Sequence, residues 1–324
     1  MDEMKPIQMI PFDQIDLSDE TFFVNFMPDL RSIRSSIQKV GLIQPVLLRR
    51  KEDGYQIVSG FRRIVILKEL GIFEIPAMVF EEREPNDLEL FVLSLQENLT
   101  TRGFNTVEKA IALQKLIHHF KFEPSEVVKS YLPLFSLEPN EKILNTYLSL
   151  AGMEEETKKY VLKGEVSRSN IRLLAKMSSE DRMTLIPFLS SLKLGENRLR
   201  EILTLLDEIS RRDRLKMGDL LRRPEIQTVL AQKELTPSQK TERVKKVLVD
   251  LRYPRILQLE KAFEEKRKKL NLPFGVSIHH PSYFEGKGLR VEFQFETMEK
   301  YQTILNFLSN LTDKKELREL LQSF

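Results

Sequence analysis

Two short segments, about thirty-five residues apart, hold the side chains best suited to chemistry: Gly60-Phe61-Arg62-Arg63 and Glu97-Asn98. Gly60 separates a strand-like run, Tyr55 to Ser59, from a helix-like run, Ile64 to Leu70, that Gly71 ends. A glycine at a strand-to-helix turn lets backbone N–H groups approach a phosphate closely, and the helix dipole favours the negative charge there. Arg62 and Arg63, in the first helical turn, offer forked donors for phosphate oxygens. Glu97-Asn98 ends a second helical run that begins at Asn86, and it sets a carboxylate beside an amide. Such a pair suits a hydrated Mg²⁺ ion, which takes oxygen ligands and keeps several waters. Together the two segments predict a triphosphate pocket. Each also has a plain reading: a solvated turn for the first, a helix end for the second.

The elements that must hold these residues follow from turn signals and periodicity. Ile7 to Pro11 reads as a strand, Met27 to Val40 as a helix closed by Gly41, and Pro45 to Arg50 as a strand. Asp53-Gly54 predicts a hairpin back into Tyr55 to Ser59. A helix over Arg62 to Leu70, a strand over Ile75 to Phe80 and a helix over Asp87 to Leu99 complete a small mixed layer. From Thr106 onwards the pattern is helical, with Val107, Ala110, Ile111, Leu113, Gln114 and Ile117 forming one stripe. Further helices are predicted from Pro124 to Leu132, Pro139 to Leu150, Met153 to Leu162 and Ser167 to Met177, then across residues 178–236. A long basic helical region from Pro237 to Leu270 is interrupted by Pro254. Strand alternation follows in Phe274 to His280 and Leu289 to Phe295, with Val291, Phe293 and Phe295 on one face. Helices over Met298 to Leu311 and Lys314 to Gln322 end the chain.

Composition limits the functions open to this chain. No apolar run approaches the ~20 residues that span a bilayer. Met1-Asp2-Glu3-Met4-Lys5-Pro6 lacks the apolar core of a signal peptide. The absence of cysteine excludes disulfides and thiolate metal sites. His118-His119 and His279-His280 are adjacent pairs whose side chains diverge on a helix, which is no ligand spacing. The net charge of +3 is unevenly spread: residues 1–110 carry −5 and residues 211–324 carry +8. A basic C-terminal third points to nucleic acid as an acidic partner, or to helices solvated by Lys and Arg.

The series Gly41 to Arg50, Gly54 to Arg63, Ile75 to Val79 and Gln96 to Asn105 occurs in an order and spacing that resembles the N-terminal domain of the ParB family of partition proteins. The resemblance runs from about Ile7 to Leu116 and more loosely to Met177. It implies an α+β chain in three parts. Residues 1–105 would be a ParB- and sulfiredoxin-like mixed-sheet domain, 106–236 an all-α helix-turn-helix domain, and 237–324 a small α+β dimerisation module. It implies CTP and Mg²⁺ as cofactors, with Gly60, Phe61, Arg62, Arg63 and Asn98 binding nucleotide. Asn98 would contact the metal, and Glu97 would activate water for slow hydrolysis. Double-stranded DNA, a second copy of the chain and a partition ATPase are the implied partners, in a cytoplasmic, nucleoid-associated setting. Asn140, Lys142 and Asn145 lie on the expected reading helix, with Arg168 and Arg172 on a later one. The reading helix is poor in Arg, Lys and Ser and includes Glu141, so a bundle that only packs is the alternative for this region.

The sequence departs from the family pattern in three places. Phe61 stands where an acidic residue is common, and Thr100-Thr101 where Gln-Arg is common, with Arg102 one position on. The stretch Asp16 to Glu20 lacks an arginine often found there. A ParB-related regulator with a degenerate pocket is therefore a second reading, and a phosphotransferase of the same fold a third. Sulfiredoxin chemistry needs a reactive cysteine, which this chain lacks.

Overall fold

The structure, a computed structural model, describes residues 6–82, 85–286, 288–312 and 314–321. Met1 to Lys5, and the predicted end of the last helix at Gln322, lie outside the described residues. The chain divides into two compact units, one ending at Ser190 and the other beginning at Ser191.

The first unit is built on a five-stranded mixed sheet in the order β1-β5-β3-β4-β2. The strands are β1 (Ile7–Pro11), β2 (Ile15–Asp16), β3 (Val46–Lys51), β4 (Gly54–Ser59) and β5 (Glu74–Phe80). β3 and β4 form the antiparallel hairpin predicted from Asp53-Gly54, with Lys51 opposite Gly54. β3 also pairs with β5 in parallel, so the hairpin lies inside the sheet. Alternation along these strands sends Val46, Leu48, Ile57, Ile75, Ala77 and Val79 to one face, where Ile64 and Leu67 of the helix α2 (Phe61–Glu69) cover them. Burying such a row of branched side chains contributes roughly 1.5–3 kcal/mol per residue before chain entropy is subtracted. The predicted helix from Met27 forms only as α1 (Arg31–Val40). Asp29, before it, accepts hydrogen bonds from both the backbone and the guanidinium of Arg31, which holds the preceding turn out of the helix.

Two further helices carry the rest of the site. The first, α3 (Asp87–Thr101), starts at a capping box of Asn86 and Glu89. The second, α4 (Thr106–His118), starts at a capping box of Asn105 and Glu108. The buried apolar positions of α4 are Val107, Ala110, Ala112, Leu113 and Leu116, broader than the predicted stripe, while Ile117 is half-buried. A single stripe describes a helix covered on one side. Here α4 also packs against later helices, so more of its circumference is enclosed.

Beyond α4, Pro124 to Leu134 forms short helical turns, α5 (Pro124–Glu126) and α6 (Leu132–Leu134), on either side of a π-helical turn, Val127–Tyr131. After them come α7 (Glu141–Ala151), α8 (Glu155–Lys163), α9 (Arg168–Ala175) and α10 (Ser179–Ser190). Leu144, Tyr147 and Leu150 of α7 are buried, whereas Leu148 is half-buried. The join between α8 and α10 is a bidentate ion pair, Arg182 to Glu154, at 2.9 and 2.7 Å. The expected boundary after residue 105 falls within this unit, because Glu108 of α4 is bonded into the sheet-bearing part.

The second unit opens with α11 (Glu196–Asp213), α12 (Met217–Leu221), α13 (Pro224–Ala231) and α14 (Pro237–Arg252). Pro254 then starts α15 (Pro254–Lys269). Proline lacks the N–H needed to continue a helix but fits its first turn, so the predicted interruption at Pro254 becomes a restart. The two predicted strands are shorter than the alternation implied: β6 (Val276–His279) and β7 (Arg290–Phe293), paired antiparallel. Glycines at 275 and 288, both with positive φ, stand just outside them. The unit ends in α16 (Met298–Leu311) and α17 (Lys315–Leu321). Ile278, Phe263, Leu270, Leu311 and Leu320 share a small core, but Val291 and Phe295 are about half exposed at 43% and 48%. No helix among the described residues is long and apolar enough to cross a membrane.

Candidate functional site

Gly60 ends β4 and caps α2 in a left-handed conformation, φ 103° and ψ 14°. A Cβ there would lie 2.8 Å from Val46 Cγ1, so both the backbone angle and the space require glycine. The turn brings the first N–H groups of α2, from Phe61, Arg62 and Arg63, to the edge of a cleft with no capping side chain over them. The cleft, about 360 Å³ in volume, is lined by Phe22, Asn25, Gly60, Arg62, Arg63, Glu97, Asn98 and Arg102, among others. The two segments singled out in the sequence therefore meet in one place.

Each arginine arrives with partners. Arg63 donates through Nη2 to Glu97 Oε1 at 2.8 Å and through Nη1 to the carbonyls of Gln44 and Pro45 at 3.1 Å. Glu97 also accepts from Gln44 Nε2 at 2.9 Å and from Ser59 Oγ at 2.7 Å. This largely buried pair ties α2 to α3 across the end of β4. Arg62 donates to Asn25 Oδ1 at 2.9 Å and to Glu108 Oε1 at 2.7 Å. Arg102 donates to the same two residues, at 3.2 Å to Asn25 Oδ1 and 2.8 Å to Glu108 Oε2, and to Asn98 Oδ1 at 2.8 Å. Glu108, fully buried, completes its shell with the backbone N–H groups of Phe26 and Asn105 at 3.2 and 3.1 Å. Burial above all, and then the neighbouring charge of Arg102, hold the Arg62 pKa below the usual guanidinium value against the pull of Glu108. Burial likewise lowers Arg63, against Glu97.

The roles expected of Glu97 and Asn98 meet specific geometry. Glu97 was expected to activate water, yet its two oxygens already accept three hydrogen bonds, and it acts here as a strut. Asn98 was expected to meet Mg²⁺. Its Oδ1 faces the Arg102 guanidinium, and its Nδ2 donates to Ser94 O at 2.8 Å and Ser59 Oγ at 3.3 Å. The carboxylates of Glu97 and Glu108 are likewise turned to cations. Among the described residues no group of three acidic or histidine side chains is placed to hold a metal. The donor set as it stands does not fit a protein-held Mg²⁺ ion, which needs oxygen atoms free of competing guanidinium donors.

Asn25, Arg102 and Glu108 are the residues that sequence reading did not assign to the site. Asn105 three residues before Glu108 spells a capping box, which accounts for Glu108 without any site. Only its complete burial beside two arginines reveals the second role.

The predicted DNA contacts lie on other elements. Asn140 caps α7 by accepting from the Lys142 N–H at 2.8 Å, while Lys142 and Asn145 are exposed on that helix. Arg168 and Arg172 are exposed on α9, which packs against α7.

Glu108→Ala should leave Arg62 and Arg102 facing each other without their shared anion. We expect a loss of about 3–5 kcal/mol in urea unfolding, the usual cost of breaking a buried pair from one side. A loss below about 1 kcal/mol would show that the network is not what fixes α4 to the sheet.

Residues 1–99 match the ParB N-terminal domain family. The chain is 35% identical over 98 residues to the chromosome-partitioning protein ParB of Myxococcus xanthus, covering 30% of this chain and 32% of that one. It is 24% identical over 215 residues to the stage 0 sporulation protein J of Bacillus subtilis, covering 61% and 72%. The chain thus spans about a third of the first relative's length. Among solved structures, the C-terminally truncated ParB of Caulobacter crescentus complexed with CTP-gamma-S aligns at 22% identity with a TM-score of 0.26, covering 56% of this chain and 97% of that one.

Proposed function

We propose that this chain, whose residues 1–99 match the ParB N-terminal domain family, is a DNA-binding chromosome-partition protein whose cleft at Gly60 binds CTP. The observation that carries the reading is the uncapped start of α2 beside three guanidinium groups in one cleft. Such a site selects phosphate, because oriented N–H groups and fixed cations stabilise negative charge without reorganising. The preference for cytosine comes from the family resemblance alone.

Clamp closure and slow hydrolysis complete the family reading. For hydrolysis Glu97 would first have to release Arg63, which a competing phosphate oxygen favours. On this reading binding precedes any catalytic role for Glu97, and Arg63 is the residue that changes partner. DNA is held by the helical region after α4, with Lys142, Asn145, Arg168 and Arg172 as the exposed contacts and Asn140 setting the start of their helix. The basic last third of the chain adds contacts to phosphate that do not depend on sequence. A homodimer is the form we propose. β6 and β7 are a two-stranded sheet, marginal by itself, and Val291 and Phe295 present apolar surface beside it.

Isothermal titration of the full chain with the four ribonucleoside triphosphates tests the nucleotide assignment. CTP should bind most tightly, and Arg63→Ala should weaken it about tenfold or more, the equivalent of one lost charged hydrogen bond at roughly 1.5–3 kcal/mol. Equal affinity in parent and variant would remove Arg63 from the site. No heat with any nucleotide would favour the regulator with a degenerate pocket.

Sedimentation of the full chain should give a dimer, and Phe295→Asp should shift it toward monomer. Duplex DNA binding should weaken steeply between about 50 and 200 mM salt, because releasing condensed counterions into more concentrated salt is less favourable. A monomeric parent chain, or binding indifferent to salt, would contradict these two assignments in turn.

A further inference from the structure

Two of the three guanidinium groups in the cleft share a single carboxylate. Arg62 and Arg102 both donate to Glu108 and both donate to Asn25 Oδ1, which brings two positive charges to one place. The third, Arg63, is matched by Glu97. Asp29 also lines the cleft but is matched by Arg31. Asp29 also acts on Arg62 through space, so among the described residues Arg31, Arg62, Arg63 and Arg102 face Asp29, Glu97 and Glu108, and the cluster carries a net positive charge. The two arginines also keep donors in reserve. Of the five N–H groups that each guanidinium carries, Arg62 uses two and Arg102 four in bonds within the chain.

A divalent cation would meet the opposite demand. It needs anionic or amide oxygen, and Glu97 Oε1, Asn98 Oδ1 and both oxygens of Glu108 accept hydrogen bonds from arginine, while Glu97 Oε2 accepts from Ser59 Oγ. Placing a further double positive charge there would add to an existing surplus, whereas a phosphate would remove it.

We propose that the cleft binds the phosphates of a nucleoside triphosphate directly through the Arg62–Arg102 pair, with Arg102 a phosphate ligand, and without a divalent cation held by the protein. This rests on the nucleotide-binding reading above and goes beyond it in naming what neutralises the phosphates. In this arrangement Arg102 takes the part that the sequence pattern assigned to Mg²⁺ beside Asn98. The amide of Asn98 then serves to orient the Arg102 guanidinium through Nε.

The test is titration of the full chain with CTP in excess EDTA and, separately, in millimolar Mg²⁺. We expect affinities within about threefold of each other, and we expect Arg102→Lys, which keeps the charge but loses the fork, to weaken binding about tenfold in both buffers. An affinity at least tenfold weaker in EDTA would overturn the proposal while leaving the nucleotide reading intact. Absence of CTP binding in both buffers would overturn that reading and the proposal with it. Thermal melting of Arg102→Lys shows whether the variant is folded. If it is not, the two-buffer comparison on the unaltered chain decides alone.

Discussion

The buried carboxylate of Glu108, shared by Arg62 and Arg102, is the interaction on which the geometry of the first unit turns. Charges taken out of water need partners on the spot, and here one anion is shared by two cations drawn from different helices. Arg62 comes from the first turn of α2, Arg102 from the end of α3 and Glu108 from the first turn of α4. The same carboxylate accepts the Phe26 N–H, so the loop before α1 is fixed as well. Lys115, lower on α4, holds that loop by donating to the carbonyls of Glu20 and Thr21. A single charge balance therefore sets the relative placement of three helices and one loop, and the cleft is the space they leave between them.

The second constraint is steric. Gly60 must leave β4 with a positive φ and pass beside Val46, and only then does α2 begin with its N–H groups open to the cleft. Arg63 and Glu97 brace this turn from below. These two glutamates differ in what they allow. Glu108 is enclosed, and removing it unbalances the core. Glu97 sits at the cleft wall and holds Arg63. On the proposed nucleotide reading, phosphate would compete with it for Arg63, and binding would be coupled to rearrangement of the wall through that guanidinium.

Local signals placed the elements well. Asp53-Gly54 gave the hairpin, Asn86 and the change of pattern at Thr106 gave the starts of α3 and α4, and Gly60 gave the turn that matters most. Each is a short-range rule in which neighbouring residues decide the backbone. The pairing inside the cleft is not of that kind. Arg62 and Glu108 lie 46 residues apart, and Arg102 and Asn25 lie 77 apart. No periodicity links them, and Glu108 already had a sufficient reason to exist as a helix cap. Period-2 alternation overstated β6 and β7 because Phe274 and Phe295, which continue the pattern, lie beyond the strand ends, with Phe274 fully exposed. Asn140 illustrates a further limit: an asparagine at a helix start suits a cap and a base contact equally in sequence, and its hydrogen bond to Lys142 N accounts for the first.

The central claim is that phosphate lands on the start of α2 and is read by the arginines around it. Hydrogen–deuterium exchange of the full chain, with and without CTP, reports on that turn directly. The account predicts slower exchange on CTP addition at the amides of Phe61, Arg62 and Arg63, together with a change at Phe26 and Asn105, whose N–H groups bond Glu108. Unchanged exchange at residues 61–63 under conditions where CTP is bound would contradict it.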